Sequence, residues 1–338
     1  MSAPMGNRTS DRSMVLLIGV LLLAALASGL FREVVLDQPR LATAATVFSG
    51  VFVQALPFLA FGVVISGLVA AFVTPDLLTR RLPRRTTPAV LVAGVGGAAL
   101  PGCECASVPV ARRLFGDGGD DSGQVAGHNS RQGAAALTFM LSAPAINPVV
   151  LVSTAVAFPG HPEMVPARCG ASLLTAVIMG LVWARWGKAR WITRTPPKLD
   201  VDNASRSTVF IEAARHDFLQ AGAYLVLGAA AAALLHVLVP SWVYTHLAGQ
   251  LILGILTMAV LAVVLSLCSE ADAFVAASLS MLPLVPRLVF LVVGPAVDVK
   301  LFAMQAGMFG RAFAIRFAPA TFAVATVCAS VVGLVTVG

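Results

Sequence analysis

The chain has 338 residues, of which 58% are hydrophobic and 12% charged, and its mean hydropathy is +0.88. A soluble domain carries about 25% charged residues, so the composition excludes an ordinary water-soluble globule and predicts a polytopic membrane protein. The formal net charge of +7 sits in basic clusters beside apolar segments, which cytoplasmic loops explain without a nucleic-acid partner.

Residues 1–13 are polar, carry Arg8 and Arg12, and read as a cytoplasmic N-terminus. Residues 14–36 read as a first transmembrane helix. Their "AALASG" stretch resembles a signal-peptidase site, but a multispan protein needs no cleaved signal, so the segment reads as retained. A first repeat is expected over 41–187. It opens with an uncharged run from Leu41 to Pro75, followed by Arg80, Arg81, Arg84 and Arg85. Thr86 to Cys103 is again uncharged, and Arg112 and Arg113 close that segment. "GDGGDDSGQVAGHNSRQ", residues 116–132, is a solvated polar loop whose aspartates do not match a calcium-loop spacing. An uncharged stretch from Gln132 to Pro162 and a span near Val165–Ala184 complete the repeat. Residues 188–215 form a basic cytoplasmic loop with Lys188, Arg190, Arg194, Lys198, Arg206 and Arg215. A second repeat, 216–338, holds spans near 217–239, 247–268, 287–310 and 315–336.

The two halves resemble each other. "FVQALPFLAFG" from Phe52 matches "FLQAGAYLVLG" from Phe218, and "APAIN" (143–147) parallels "GPAVD" (294–298) in the same order. Between these marks lie "GCECASVP" and "LCSEADAF", whose register stays open: Glu104 aligns with Glu270, or Cys105 with Cys268. Two ordered matches predict an internal repeat.

The Arg-rich loop 80–85 and the basic loop should both face the cytoplasm. The chain then leaves that face at about Thr86 and returns by Arg112. Two full crossings take about 40 residues, more than this segment has, so it should enter the membrane and turn back near Pro101–Gly102. Residues two apart on a helix point to opposite sides, whereas in extended backbone they share a face. Cys103 and Cys105 can therefore serve one ligand only if the helix is broken there. The same count inverts the second half and predicts a second re-entrant turn around Cys268–Ala273. The fold class is thus all-α, with about eight or nine transmembrane helices, two re-entrant or broken segments and an inverted repeat.

Several residue types are costly at membrane depth. Asp298 and Lys300 interrupt an apolar run, and each costs about 2.5–3.5 kcal/mol at a helix centre. They are expected in the protein interior, as a functional pair or as a structural one. Pro144, Asn147 and Pro148 should unwind their helix and free carbonyls for a ligand, unless they only kink it. Glu270 and Asp272, beside Cys268, could relay protons or bind cations, or could mark an exposed loop end. Cys103 and Cys105 are either ligands of a soft solute, with Glu104 taking a proton, or small packing residues. The 5 cysteines are odd in number and form no disulfide framework. The histidines have no zinc-site spacing. No Walker A, G-x-S-x-G or H-E-x-x-H motif is present, so no metal, cofactor or enzymatic activity is expected.

"LPGCECASVPVARRL", "FMLSAPAINPVVLVSTAVAF" and "LCSEADAFVAAS", in this order, resemble the predicted permeases of the ArsP type, over roughly residues 45–336. The Cys103, Cys105 and Pro109 element is the more specific part. The resemblance implies a multi-pass plasma-membrane permease. For the characterised branch it implies efflux of trivalent organoarsenicals, with cysteines as arsenic ligands. Carried onto this chain, it makes Cys103 and Cys105 the first candidates. The candidate substrate-binding set is Cys103, Glu104, Cys105, Pro144, Asn147, Cys268, Glu270, Asp272, Asp298 and Lys300. The expected partners are membrane lipid, a small-molecule or metalloid substrate and a second copy of the chain. A passive channel and a membrane thiol-redox subunit remain the alternatives.

Overall fold

The structure is a computed structural model and describes residues 39–72, 83, 85–98, 104–114, 128–188, 191–192, 206–238, 251–279 and 282–337. The expected cytoplasmic N-terminus, the first transmembrane helix at 14–36, Cys103 and the turn at Pro101–Gly102 lie outside these residues. The described residues form twelve helices and no strand. They are α1 (Pro39–Phe72), α2 (Thr86–Gly97), α3 (Glu104–Leu114), α4 (His128–Ile146), α5 (Pro148–Ala157) and α6 (Met164–Trp186), followed by α7 (Arg206–Leu238), α8 (Leu251–Leu265), α9 (Ser269–Ser278), α10 (Leu284–Ala296), α11 (Val299–Met308) and α12 (Arg311–Thr336). The chain is an all-α polytopic membrane protein. Five stretches among the described residues are long and apolar enough to cross a membrane: 41–68, 131–157, 164–186, 284–308 and 311–336. Large apolar side chains on the outside, such as Val335, Ile252 and Val53, are in the place where lipid would cover them.

The elements fall into two sets of six. Each set has a long helix, then two short ones, then a helix broken in the middle, then a final long helix. The contacts repeat as well. α4 packs on α2, α3 and α6 as α10 packs on α8, α9 and α12, and α5 meets α6 as α11 meets α12. α1 and α7, the equivalent long helices, run antiparallel. Gly67 faces Phe210, Ser66 bonds Asp217, and Leu59 lies against Gly222. Antiparallel equivalents are what an inverted repeat requires.

α2 has 12 residues and α3 has 11. At about 1.5 Å per residue each is shorter than about 20 Å, against a hydrocarbon core of about 30 Å. Neither can cross alone, in keeping with the short count between Thr86 and Arg112. In the second half α8 ends at Leu265, and Ser266 takes a left-handed conformation (φ 48°) that stops the helix. α9 begins three residues later. The broken helices stop at Asn147 and at Val297–Asp298. Asn147 is buried; it accepts a bond from Val150 N (2.9 Å) and donates to Ala143 O (3.1 Å). Asp298 does the same capping at the start of α11, accepting from Leu301 N. Each side chain satisfies an amide that the break would leave bare in lipid. The span expected at 287–310 is therefore two half-helices, and α7 starts at Arg206, inside the stretch read as basic loop.

The repeats interlock. α3 of the first packs on α11 of the second, and α9 of the second packs on α5 of the first. Two glycines at equivalent places in "FLAFG" and "YLVLG" permit close approach. A Cβ at Gly62 would lie 2.3 Å from Ala106 Cα, and one at Gly228 would lie 2.7 Å from Lys300 Cα. A second tie lies at the C-terminal end of α3. Arg113 grips the buried Asp217 with both nitrogens (Nε–Oδ2 3.0 Å, Nη2–Oδ1 3.1 Å). Ser66 donates to the same carboxylate at 2.7 Å. Arg112 donates to Gln220 Oε1 at 2.6 Å, and Gln220 donates to Gly307 O at 3.1 Å.

Gly62→Leu and Gly228→Leu should each destabilise the protein by about 1–3 kcal/mol through overpacking, read as a lower Tm of the purified protein. Cysteines introduced by Lys188→Cys and His161→Cys, at opposite ends of α6, should be labelled by an impermeant thiol reagent from opposite sides of the membrane. Labelling of both from one side would overturn the orientation of α6.

Candidate functional site

The site is built where the N-termini of α3, α9 and α11 meet. Glu104 is in the first turn of α3, and its carboxylate is paired with the Lys300 ammonium from the first turn of α11. Both side chains are almost wholly buried, at 1% and 2% exposure. Asp298 Oδ2 lies 3.7 Å from the same ammonium. Lys300 also reaches Leu267 O at 3.5 Å, and Ser266 Oγ accepts from Val299 N at 3.2 Å. The two interruptions of the second repeat thus touch each other, through the link between α8 and α9 and the break before α11. Ser269, at the start of α9, donates to Glu104 Oε2 at 3.4 Å.

Local electrostatics explain the residue choice. A helix N-terminus carries partial positive charge, which favours a carboxylate and disfavours an ammonium. Glu104 is well placed on α3, as are Glu270 and Asp272 on α9. Lys300 is in an unfavourable place on α11, and its two carboxylate partners offset that. At the equivalent place in the first repeat the cap is the neutral Asn147, and the residue two further on is Val149 rather than lysine.

A second buried cation stands beside this group. Arg168, near the start of α6, is fully buried. It donates to Thr154 Oγ1 at 2.7 Å and to Ser269 O at 2.8 Å, and so connects α5, α6 and α9. Asp272 is buried in the first turn of α9, within electrostatic reach of Arg168, Glu104, Lys300 and Asp298. Glu270 accepts from the Cys268 thiol at 2.8 Å. Cys105 and Cys268, one from each repeat, are both buried, and both lie within electrostatic reach of the Lys300 ammonium. A cavity of about 430 Å³ opens beside Asp298, walled by Val260, Val264, Val297, Phe302 and Phe322. No group of three metal-ligating side chains occurs among the described residues.

Of the residues expected from the sequence, the structure brings together Glu104, Asp298 and Lys300 directly, with Cys105, Cys268, Glu270 and Asp272 around them. Asn147 caps α5, and its amide is used within its own break. Pro144 is buried inside α4, which continues past it to Ile146. The unwinding expected from Pro144 onward is confined to Asn147. The irregular backbone expected across the C-x-C element has ended by Glu104, because Cys105 is already helical. Arg168 was not singled out in the sequence reading, which gave only a span near Val165–Ala184. A lone arginine inside a span was the available signal. Ser269 and Thr154 carry no such mark.

Comparison with known proteins follows the same outline. A family model described as a predicted permease, ArsP_1, matches residues 40–334. The chain is 32% identical over 275 residues to the UPF0718 protein YcgR of Bacillus subtilis (strain 168), covering 79% of this chain and 89% of that protein. It is 28% identical over 295 residues to a protein of Streptococcus mutans serotype c (strain ATCC 700610 / UA159), covering 85% of this chain and 94% of that one. That relative is named as a subunit of a two-component membrane permease complex. No solved structure gave a significant match.

Removing one member of a buried ion pair strands its partner and costs about 3–5 kcal/mol, whereas removing both costs less. Lys300→Met should therefore lower stability by about that amount, and Lys300→Met with Glu104→Gln should recover part of it. Thermal unfolding of the purified variants measures both.

Proposed function

The chain belongs to the ArsP_1 family of predicted permeases, and from that membership and the geometry of the junction we propose that it carries a small thiophilic solute across the plasma membrane by alternating access. The observation that carries this reading is the meeting of a short helix of one repeat, α3, with the broken helix of the other, at α11, on one buried charge group, Glu104, Asp298 and Lys300. Interrupted helices in lipid-spanning protein are tolerated where they line a binding site, and inverted repeats provide the rocking motion that exposes it to each side in turn.

The solute class follows from the donors. Cys105 and Cys268 supply one buried sulfur from each repeat near Lys300, and sulfur is the ligand that soft ions prefer. Cys103, one residue before α3, adds a third sulfur to this reading by sequence position. A trivalent organoarsenical, with its affinity for paired thiolates, fits such a set, and outward movement is the direction proposed. The name of the streptococcal relative extends the reading to a second subunit acting with this chain.

Everted membrane vesicles carrying the protein should take up trivalent methylarsenite. The Cys105→Ser/Cys268→Ser double variant, at equal membrane abundance, should lose at least about 90% of that uptake, as expected when both soft ligands are removed. Uptake unchanged in the variant would remove the thiol role. Absence of uptake in folded wild-type protein would remove the arsenical as substrate.

A further inference from the structure

We propose that Asp272 is a proton-exchange site, the group through which a proton gradient drives the permease; the coupling role rests on the permease reading above, the proton site does not. The starting observation is a buried carboxyl oxygen that no hydrogen bond satisfies. Asp272 is 2% exposed, and its Oδ2 has no hydrogen-bond donor among the described residues. It is aimed at the helix beside it: a Cβ placed on Gly294 of α10 would lie 2.5 Å from that oxygen. The absence of a side chain at Gly294 is what makes room for the carboxyl group.

The hydrogen bonds of the neighbouring cations go elsewhere. The two terminal nitrogens of Arg168 bond Thr154 and Ser269, its Nε has no acceptor among the described residues, and Lys300 is paired with Glu104 and Asp298. Glu270, on the same helix, accepts from Cys268. α5 and α10 pack along α9, and α6 and α3 reach its start through Arg168 and Glu104. α5 has no titratable side chain. On α10, Arg287 donates to Leu282 O at 2.8 Å. The charged groups acting on Asp272 are thus Arg168, Glu104, Lys300 and Asp298. Among the described residues, the cations named beside Glu104, Glu270, Asp272 and Asp298 are Arg168 and Lys300. An unbalanced anion in this interior is costly. Binding one proton removes that cost, and releasing it when α9 meets water restores the anion. Arg168, anchored one residue's carbonyl away at Ser269, holds α9 while also favouring the charged form.

Infrared titration of the purified full-length protein in liposomes tests this without any transported solute. Wild type should show a protonated-carboxyl C=O band that disappears as pH rises and moves when aspartate is ¹³C-labelled at the side-chain carboxyl. Asp272→Asn should lose the band, and the exposed Glu212→Gln control should keep it. Arg168→Gln removes a cation that favours the anion, so its band should persist to higher pH. The aspartate label gives a reading on wild type even if a variant fails to fold. No titrating aspartate band in wild type, a band retained in Asp272→Asn, or a band removed by sodium at constant pH would each overturn the proposal. Failure of the arsenical uptake experiment would leave it standing.

Discussion

The buried pair between Glu104 and Lys300 is the constraint on which the architecture turns. Each residue comes from a different repeat, and removing one member of a buried pair leaves the other without its partner at considerable cost. Their helices, α3 and α11, are both short, so neither is held in place by length. The charge pair fixes where the two half-helices meet. The small residues around them, Gly62 against Ala106 and Gly228 against the Lys300 backbone, let the long helices close over that point. Polar groups that would be unstable in lipid are thus gathered in one place, and the apolar side chains are left facing outward.

The two repeats are built alike but charged differently. The equivalent helix breaks are capped by Asn147 in one and Asp298 in the other. A neutral cap suffices where the next turn presents Val149. A carboxyl cap stands where it presents Lys300. The framework is therefore symmetric while the charge group is displaced toward the second repeat. A solute at the junction would meet carboxyl groups and thiols from both repeats and an ammonium from the second alone.

Much of this could be read from the residues. The uncharged runs marked the spans, the matched "FVQALPFLAFG" and "FLQAGAYLVLG" marked the repeat, and the short count between Thr86 and Arg112 marked segments too short to cross. Asp298, Lys300 and Glu104 stood out because charge in an apolar run is expensive. Their mutual pairing was not legible, since the partners are almost two hundred positions apart and nothing local encodes the approach. Arg168 was not singled out from the span around it. The exact position of the breaks depended on side-chain caps, and Pro144, the more obvious helix breaker, was tolerated inside α4. The backbone at Ser266 gave no signal at all, because serine carries none of the usual marks of a left-handed residue.

The tie at the far end of α3 has a consequence for motion. Any movement that parts α3 from α7 must break the two-pronged grip of Arg113 on Asp217 and the bond from Arg112 to Gln220. With Glu104 aligned to Glu270, the corresponding place at the end of α9 holds Ser278 and Leu279, and Ser278 bonds only its own helix, at Val275 O. The mirror-image movement meets no comparable resistance there. In a carrier that worked by alternating access, so unequal a pair of ties would hold one door more firmly than the other, and the two strokes of the cycle would differ in speed even with nothing aboard.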